Sequence, residues 1–441
     1  MNLQNFDLKT EFDCACGKTH RAGPDDVIVG KGVIARLPEL AARYGAKKIF
    51  LLADENTYAV AGKRVEEILR GAGIAVSRYL FGKEPVKPDE RAVGAAVLHF
   101  DASCDRIIGV GSGVINDIGK LLAKTAKRPY LIVGTAPSMD GYASASSSME
   151  RDGLKVSVPS VCPNVILGDT DVLKEAPMRM LWAGLGDMIA KYVSIAEWRI
   201  SHLINGEYYC ETVASLVRAA RDLCVRHADG LLRRDEEAVG AVFEGLVIGG
   251  LAMNYAGVSR PASGVEHYIS HIWDMRGLEF GTPVDFHGIQ CAIGTLLAAR
   301  VYEKLKEITP DRAAACAHAE AFDYGKWSET LRALLGRGAE AMIALEEKEQ
   351  KYDVAAHHAR LDGILGKWDA ILRVIDEEIP ASAEIEALLD RIGAPKSPAE
   401  IGTEAHLSTV FAATKDIRDK YVLSRLLWDL GVTAKETDFF A

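Results

Sequence analysis

Short runs of β-branched and aliphatic residues alternate with longer amphipathic segments over the first third of the chain. The runs that predict strands include residues 27–29, 48–52, 106–109 and 130–134, and the segments that predict helices include residues 60–71 and 88–100. Strands that alternate with helices in this way are typical of βαβ units, in which neighbouring strands run parallel. The pattern therefore predicts an α/β domain built on a mostly parallel sheet.

The pattern changes at about residue 178, where the strand signal fades. Long segments rich in Ala, Leu, Glu and Arg follow, for instance residues 210–227, 237–255 and 287–304. Such segments are typical of helices, and a chain of 441 residues exceeds the size at which one core keeps growing. We therefore predict two domains, an α/β domain over residues 1–177 and an all-α domain over residues 178–441.

Composition and charge narrow the class of protein. The hydrophobic content of 49% and the charged content of 26% are ordinary for a globular protein. A net charge of -10 argues against a nucleic-acid partner, which favours a basic surface. A small anionic substrate is still compatible with this charge, because the local charge in a cleft can oppose the net charge.

The sequence also indicates a compartment. Eight cysteines are scattered along a long chain, which favours free thiols in a reducing compartment over a disulfide framework. The first residues lack the basic, apolar and small-residue order of a signal peptide, and the most apolar stretch, at about 245–255, is interpreted as too short to span a bilayer. We therefore predict a cytoplasmic protein without membrane insertion.

Two loops rich in small residues indicate a nucleotide site. Gly111-Ser-Gly113 follows the predicted strand at 106–110 and opens a helix, so backbone N–H groups and the helix N-terminus can meet a diphosphate. The spacing is not G-x-G-x-x-G, and a tight turn without a ligand is an equally weighted alternative. A second loop, at 134–138, follows the next strand and favours the nucleotide, because a cofactor lies across the carboxyl ends of neighbouring strands.

Asp54 ends the predicted strand at 48–54. A carboxylate at this position can hydrogen-bond a ribose diol and would repel a 2'-phosphate. The alternative, given equal weight, is that Asp54 simply opens a turn.

Three of the eleven histidines lie within 21 residues and suggest a metal site. His267 and His271 are four residues apart in a predicted helix and so share one face, and His287 opens the next long helix. Together with Asp187, two of these histidines would make the open site that a catalytic divalent ion uses. The spacing leaves open which two histidines bind.

A second cluster, Cys14-Ala-Cys16 followed by His20, resembles half of a structural zinc site. Its other half is not evident in the sequence, so a turn is the favoured interpretation. The segment at 310–385 offers no pattern from which a role follows.

Taken in order, the motifs resemble the sn-glycerol-1-phosphate dehydrogenase family. This family belongs to the superfamily of iron-containing alcohol dehydrogenases, glycerol dehydrogenases and 3-dehydroquinate synthases. The resemblance covers about residues 25–435, and the blocks that carry it are residues 109–120, 135–144, 184–192, 259–267, 287–288 and 415–421. It implies a Rossmann-like nucleotide-binding domain followed by an all-α domain that binds metal and substrate, the dehydroquinate synthase-like fold.

The resemblance also implies roles for individual residues. Asp187, His267 and His287 would bind the metal, which would be zinc, nickel or iron, while His271 and Asp140 would act on the substrate. The residues that would contact NAD(H) or NADP(H), with Asp54 as a further candidate, are Gly111, Ser112, Gly113, Val114, Ile115, Thr135, Ser138 and Ser144. Ser112 replaces a glycine that is usual in the family, which is acceptable if its φ is negative.

The expected reaction is the metal-dependent reduction of a triose phosphate, dihydroxyacetone phosphate, to sn-glycerol 1-phosphate. Lys191 and Arg260 are the candidates for the substrate phosphate, with an ordinary salt bridge as the alternative for each. A polyol dehydrogenase of the same superfamily and a catalytically silent nucleotide-binding member are the rival functions. A homodimer is the expected assembly.

Overall fold

A computed structural model describes residues 11–432 and residue 440. The predicted lack of an export signal falls mainly on residues 1–10, which lie outside the described residues. The strands are β1 (Phe12–Asp13), β2 (Thr19–His20), β3 (Asp26–Gly30), β4 (Lys48–Asp54), β5 (Ala75–Phe81), β6 (Arg106–Gly111), β7 (Tyr130–Gly134), β8 (Ser146–Arg151), β9 (Leu154–Pro159) and β10 (Val165–Asp169).

Helices account for most of the remaining chain. Up to the middle of the chain they are α1 (Leu37–Arg43), α2 (Glu55–Thr57), α3 (Lys63–Gly71), α4 (Glu90–Leu98), α5 (Gly113–Ala126), α6 (Thr170–Leu173), α7 (Met178–Ile189), α8 (Lys191–Asn205), α9 (Glu211–Arg226) and α10 (Glu236–Ala256). They continue with α11 (Val265–Phe280), α12 (His287–Leu305), α13 (Arg312–Glu320), α14 (Tyr324–Leu335), α15 (Gly338–Glu349), α16 (Val354–Gly366), α17 (Trp368–Glu378), α18 (Ser382–Ile392), α19 (Leu407–Ala413) and α20 (Leu423–Asp429).

Two compact units divide the described chain. The first contains the residues up to Met188 and Thr212–Val258, and the second contains Ile189–Glu211 and the residues from Ser259 onward. This division differs from the single predicted boundary at residue 177, because α10 and nearly all of α7 and α9 belong to the unit that contains the strands. The prediction of a strand-bearing α/β part followed by a helical part is confirmed by the element order.

The first unit is built on a six-stranded sheet with the order β3-β10-β7-β6-β4-β5, in which every neighbouring pair is parallel. Its central strands are buried nearly throughout, and β7 and β10 have no exposed residue. Strands covered on both faces read as continuous apolar runs, as these do. From β4 the chain moves to β5 on one side and then to β6 on the other, so the order reverses between β4 and β6. Ligands of open α/β sheets bind at the carboxyl ends beside such a reversal.

Helix α10 corrects one step of the sequence analysis. The apolar stretch that was interpreted as too short to span a bilayer belongs to a 21-residue helix, whose hydropathy of 1.4 and length are sufficient for a membrane span. However, 78% of its apolar window is buried inside the protein. Burial in the core of the first unit therefore accounts for its composition.

The described residues of the second unit form helices joined by loops, without a strand, and α11 and α12 pack side by side within it. Gly294 of α12 allows a close approach, since a Cβ atom there would lie 2.8 Å from the carbonyl oxygen of Glu266 on α11. The segment at 310–385, which the sequence left without an interpretation, forms α13 to α17 and the start of α18.

Candidate active site

The three histidines of the sequence motif come together between α11 and α12. The ring centroids of His267 and His287 are 4.9 Å apart with the planes at 69°, and those of His271 and His287 are 5.8 Å apart with the planes nearly parallel. The i, i+4 spacing on α11 places two imidazoles on one face, and the first residue of α12 places the third beside them. The clustering that the sequence suggested is therefore present in the second unit.

Buried hydrogen bonds orient two of these rings. His267 Nδ1 lies 2.7 Å from Glu266 Oε1, and His287 Nδ1 lies 2.9 Å from Ser270 Oγ. The carboxylate of Glu266 is fully buried and also accepts a hydrogen bond from the backbone N–H of Gly264. A histidine whose Nδ1–H donates to an oxygen presents its Nε2 lone pair, which is the usual arrangement of a metal-binding imidazole.

Two neighbouring side chains add possible ligands that the sequence analysis missed. Cys291 lies one turn after His287 on α12, and its Sγ atom is 3.5 Å from His287 Nε2. Asp274 lies one turn after Ser270 on α11, and its carboxylate accepts a hydrogen bond from Gln290 Nε2 at 2.9 Å. Ligand atoms of His267, His287 and Cys291 lie within 4.8 Å of one another, as do those of His271, Asp274 and His287. The i, i+4 spacing from His287 was the signal that could have identified Cys291.

A second buried carboxylate accompanies Glu266. Glu197 on α8 is 2% exposed and accepts hydrogen bonds from the backbone N–H groups of Val265 and Leu423, at 3.0 and 2.8 Å. Burial and the charge of Glu266 raise the pKa of Glu197 to about 8. Glu197 therefore holds its proton more readily than an exposed glutamate does.

In the first unit, the two small-residue loops meet at the carboxyl ends of β6 and β7. The backbone N–H of Thr135 donates to the carbonyl of Gly111 at 3.0 Å, which joins the loops directly. A Cβ atom at Gly111 would lie 2.5 Å from Cβ of Ile115, so only glycine fits this turn into α5. Ser112 has a φ of -107°, which satisfies the condition for replacing the family's usual glycine.

The other predicted cofactor residues lie around the same loops. Thr135 and Ser138 are buried, and Ser144 Oγ is within 3.2 Å of the Lys120 ammonium. Lys120 is fully buried and also donates to the carbonyl of Gly141 at 3.2 Å, so it ties α5 to the segment after β7. The sequence analysis did not single out Lys120, although it belongs to the quoted motif after β6.

Asp54 caps α2 at the end of β4. Its Oδ1 accepts a hydrogen bond from the backbone N–H of Thr57 at 2.8 Å, and Thr57 Oγ1 accepts one from the N–H of Asp54 at 3.1 Å. This reciprocal arrangement is a capping box, which matches the turn alternative. Contact between Asp54 and a ribose stays a prediction.

Asp140 and Asp187 are neighbours within the first unit. Asp187 on α7 is fully buried, and its Oδ2 accepts a hydrogen bond from the backbone N–H of Asp140 at 2.9 Å. Two glycines make this packing possible. A Cβ atom at Gly184 would lie 1.9 Å from the carbonyl oxygen of Pro137, and one at Gly250 would lie 2.8 Å from the carbonyl oxygen of Asp140.

The two phosphate candidates are buried in the second unit. The Lys191 ammonium donates to the carbonyl of Ala262 at 3.0 Å. Arg260 is 2% exposed, and its guanidinium donates to both carboxylate oxygens of Glu207, at 2.7 and 2.5 Å, and to the carbonyl of Tyr421 at 2.8 Å. The contacts of Arg260 match the salt-bridge alternative, and a phosphate role for either residue stays a prediction.

Comparisons with known proteins identify the family of the chain. The model of the iron-containing alcohol dehydrogenase family matches residues 28–177. The glycerol-1-phosphate dehydrogenase (NAD(P)+) of Halalkalibacterium halodurans is 34% identical over 295 residues, which are 66% of this chain and 74% of that protein. The enzyme of the same name from Bacillus subtilis is 32% identical over 310 residues, which are 70% of this chain and 79% of that protein.

Solved structures show the fold. The iron-containing alcohol dehydrogenase of Thermococcus thioreducens matches with a TM-score of 0.60 and 14% identity, over 95% of this chain and 100% of that chain. The parallel sheet and the helices after it thus have the fold of the iron-containing alcohol dehydrogenases, the dehydroquinate synthase-like fold that the sequence predicted. Within that superfamily, the chain belongs to the glycerol-1-phosphate dehydrogenase family, and the resemblance seen in the sequence is confirmed.

Proposed function

We propose that the protein reduces dihydroxyacetone phosphate to sn-glycerol 1-phosphate with NADH or NADPH in a metal-dependent reaction. The names of the relatives at 32–34% identity support the substrate. The observation that carries the chemistry is the histidine pair of α11 and α12, in which oxygens of Glu266 and Ser270 occupy both Nδ1 positions. That arrangement prepares His267 and His287 to bind a divalent ion through Nε2.

The proposed ligands of the metal are His267, His287 and Asp187. Two neutral imidazoles and one carboxylate suit zinc, nickel or iron, and three protein ligands leave a position open for a substrate oxygen. The buried, hydrogen-bonded state of Asp187 fits a ligand that is held in one rotamer before the metal binds. When bound, the metal acts as a Lewis acid on the substrate carbonyl.

His271 is the proposed proton donor, and Asp140 the proposed contact of the substrate hydroxyl groups. When bound, the reduced nicotinamide would supply hydride to the carbonyl carbon, and the carbonyl oxygen would need a proton. An imidazole is the side chain most often used as a general acid near neutral pH. The nearly parallel stacking of His271 on His287, a proposed metal ligand, supports this role.

The cofactor is proposed to lie across the loops after β6 and β7. The backbone at Gly111–Ile115 and the start of α5 would receive the diphosphate, because both the tight turn and the helix N-terminus favour an anion. Thr135, Ser138 and Ser144 would contact the remainder of the cofactor, and Asp54 would contact its ribose.

Lys191 and Arg260 are proposed to bind the substrate phosphate, and the ion pair between Arg260 and Glu207 is the contact that competes with this role.

The rival functions predict other results. A polyol dehydrogenase would oxidise unphosphorylated glycerol as well as it handles the phosphate ester, and a silent member would bind cofactor without turnover.

For the assembly and the compartment we propose a homodimer in the cytoplasm, which sedimentation and cell fractionation would test.

The test of the proposed reaction is NADH oxidation by the purified protein with dihydroxyacetone phosphate, before and after chelation and with zinc or nickel restored. The expected result is metal-dependent oxidation that yields the 1-phosphate enantiomer. Turnover confined to glycerol or another polyol would contradict the substrate assignment and keep the metal site.

A further inference from the structure

The segment that joins β1 to β2 forms a tight hairpin that carries two cysteines. β1 and β2 pair antiparallel, with Phe12 opposite His20. Within the turn, the N–H of Cys14 donates to the carbonyl of Lys18 at 3.0 Å, and the N–H of Gly17 donates to the carbonyl of Cys14 at 2.9 Å. Gly17 has a φ of 84°, a conformation that favours glycine. The hairpin therefore brings Cys14, Cys16 and His20 to one side of a single turn.

The side chains in this hairpin have the spacing of metal ligands. The two sulfur atoms and one ring nitrogen of His20 lie within 4.8 Å of one another. Cys16 Sγ is 3.4 Å from His20 Nε2. In a tetrahedral zinc site, a sulfur at about 2.3 Å and a nitrogen at about 2.1 Å from the ion are about 3.6 Å apart. The observed separation is close to this ligand-to-ligand edge.

The orientation of His20 fits metal binding through Nε2. The ring is fully buried, and its Nδ1 lies 2.9 Å from the carbonyl oxygen of Tyr255 at the end of α10. A carbonyl oxygen accepts only, so Nδ1 carries the proton and the lone pair is on Nε2, which faces Cys16. Such a backbone partner is the usual means of orienting a zinc-binding histidine.

A further cysteine lies close along the chain. Cys14 Sγ is 3.3 Å from Thr212 Oγ1. Cys210 precedes Thr212 by two residues, so the Cα atoms of Cys210 and Thr212 are at most about 7 Å apart. The connectivity of the backbone alone therefore keeps a buried thiol within reach of the hairpin.

We propose that Cys14, Cys16, His20 and Cys210 bind one zinc ion as a closed structural site. Three sulfur ligands and one nitrogen ligand are a common set for structural zinc, and they leave no position for a substrate. The thiols lose their protons on binding, so three protons are released for each ion. The bound zinc would stabilise the packing of the hairpin against the end of α10, where Lys18 Nζ also donates to the carbonyl of Ala256 at 3.0 Å.

This proposal does not depend on the proposed enzymatic reaction, and the experiment keeps the two apart. Zinc per chain is measured by mass spectrometry in protein purified from zinc-supplemented cells, using H267A/H287A to remove the histidine-pair metal. That variant is expected to retain about one zinc per chain. Adding C14S/C16S is expected to remove it, whereas adding C316S, which replaces a partly exposed cysteine outside the hairpin, is expected to leave it.

Cobalt provides a test that needs no cysteine variant. Cobalt added to zinc-depleted H267A/H287A protein is expected to show thiolate-to-cobalt charge-transfer absorption and the intense visible bands of a tetrahedral ion. Zinc absent from H267A/H287A, or cobalt bound without the thiolate band, would overturn the proposal. For the fourth ligand, C210S is expected to weaken zinc binding at least tenfold, and an unchanged affinity and cobalt spectrum would overturn its assignment.

Discussion

The two clusters of metal-binding side chains differ in how they are supported. The histidine cluster is held by two long helices, and its rings are oriented by the side chains of Glu266 and Ser270. The cysteine cluster is held by a hairpin of a few residues, and its histidine is oriented by the backbone carbonyl of Tyr255. The first arrangement has only nitrogen and oxygen donors in its proposed ligand set and an open position, whereas the second has sulfur donors that close it. We therefore propose that the histidine cluster serves catalysis and the cysteine cluster serves stability.

The largest expected effect separates the two clusters by activity. H267A should lower kcat/KM for dihydroxyacetone phosphate by about 10³-fold, because a Lewis-acid metal supplies several kcal/mol of transition-state stabilisation. Folded C14S/C16S protein should keep a kcat within about threefold of the wild-type value. Initial rates of NADH oxidation measure both, and H99A, at an exposed histidine, is the matched control. Equal losses of activity in H267A and C14S/C16S would contradict the assignment of catalysis to the histidine cluster alone.

Removal of the carboxylate that orients His267 is expected to have a smaller effect. E266Q keeps the shape of the side chain but removes the carboxylate charge from His267 Nδ1, and partners of this kind typically change metal affinity or activity by about 10–100-fold. Competition with a chelator measures the affinity. Circular dichroism checks folding, because Glu266 also accepts the N–H of Gly264. Unchanged affinity in a folded E266Q protein would contradict the orienting role.

Chelation is expected to distinguish the open site from the closed one by rate. The activity of the wild-type protein should decay at least tenfold faster in EDTA than zinc leaves the cysteine cluster, because an open site exchanges its metal through solvent. Residual activity and metal content are followed in the same samples. Loss of activity and of all zinc with one rate constant would refute this difference.

The smallest expected effect concerns pH. In the folded chain the pKa of Glu197 is raised to about 8 from an ordinary 4.5, so the folded state binds more protons than the unfolded state between these values. The contribution of Glu197 to stability should therefore fall as pH rises from about 4.5 to 8. In metal-free protein, E197Q should reduce the fall in Tm over this interval by a few degrees.

Thermal melts at pH 5 and pH 8 measure the effect, with E347Q as the control at an exposed glutamate. The same pH slope in wild type and E197Q would show that Glu197 does not retain a proton in the folded state.

Much of the α/β fold followed from the pattern of apolar residues, because strands buried on both faces have a strong sequence signal. The histidine cluster was also predictable, since i, i+4 spacing on a helix fixes which side chains share a face. The sequence did not predict that α9 and α10 belong to the strand-bearing unit, because tertiary packing decides which unit a helix joins.

Contacts between residues distant in the chain escaped the sequence analysis for the same reason. Thr212, whose Oγ1 lies 3.3 Å from Cys14 Sγ, is nearly 200 residues from that cysteine, and no local pattern connects them. Glu207, which pairs with Arg260, is a comparable case. Glu266, by contrast, directly precedes His267, and a carboxylate beside a candidate ligand is a signal that sequence reasoning could have used.

The most direct test of the account is a titration of metal into chelator-treated protein, with NADH oxidation by dihydroxyacetone phosphate measured at each addition. Zinc is first restored to the cysteine cluster and quantified, so that further metal reports on the histidine cluster alone. The account predicts a linear rise in rate that saturates at one further equivalent per chain and is absent in H267A/H287A. Full activity before that equivalent is added, or a rise that survives in H267A/H287A, would contradict it.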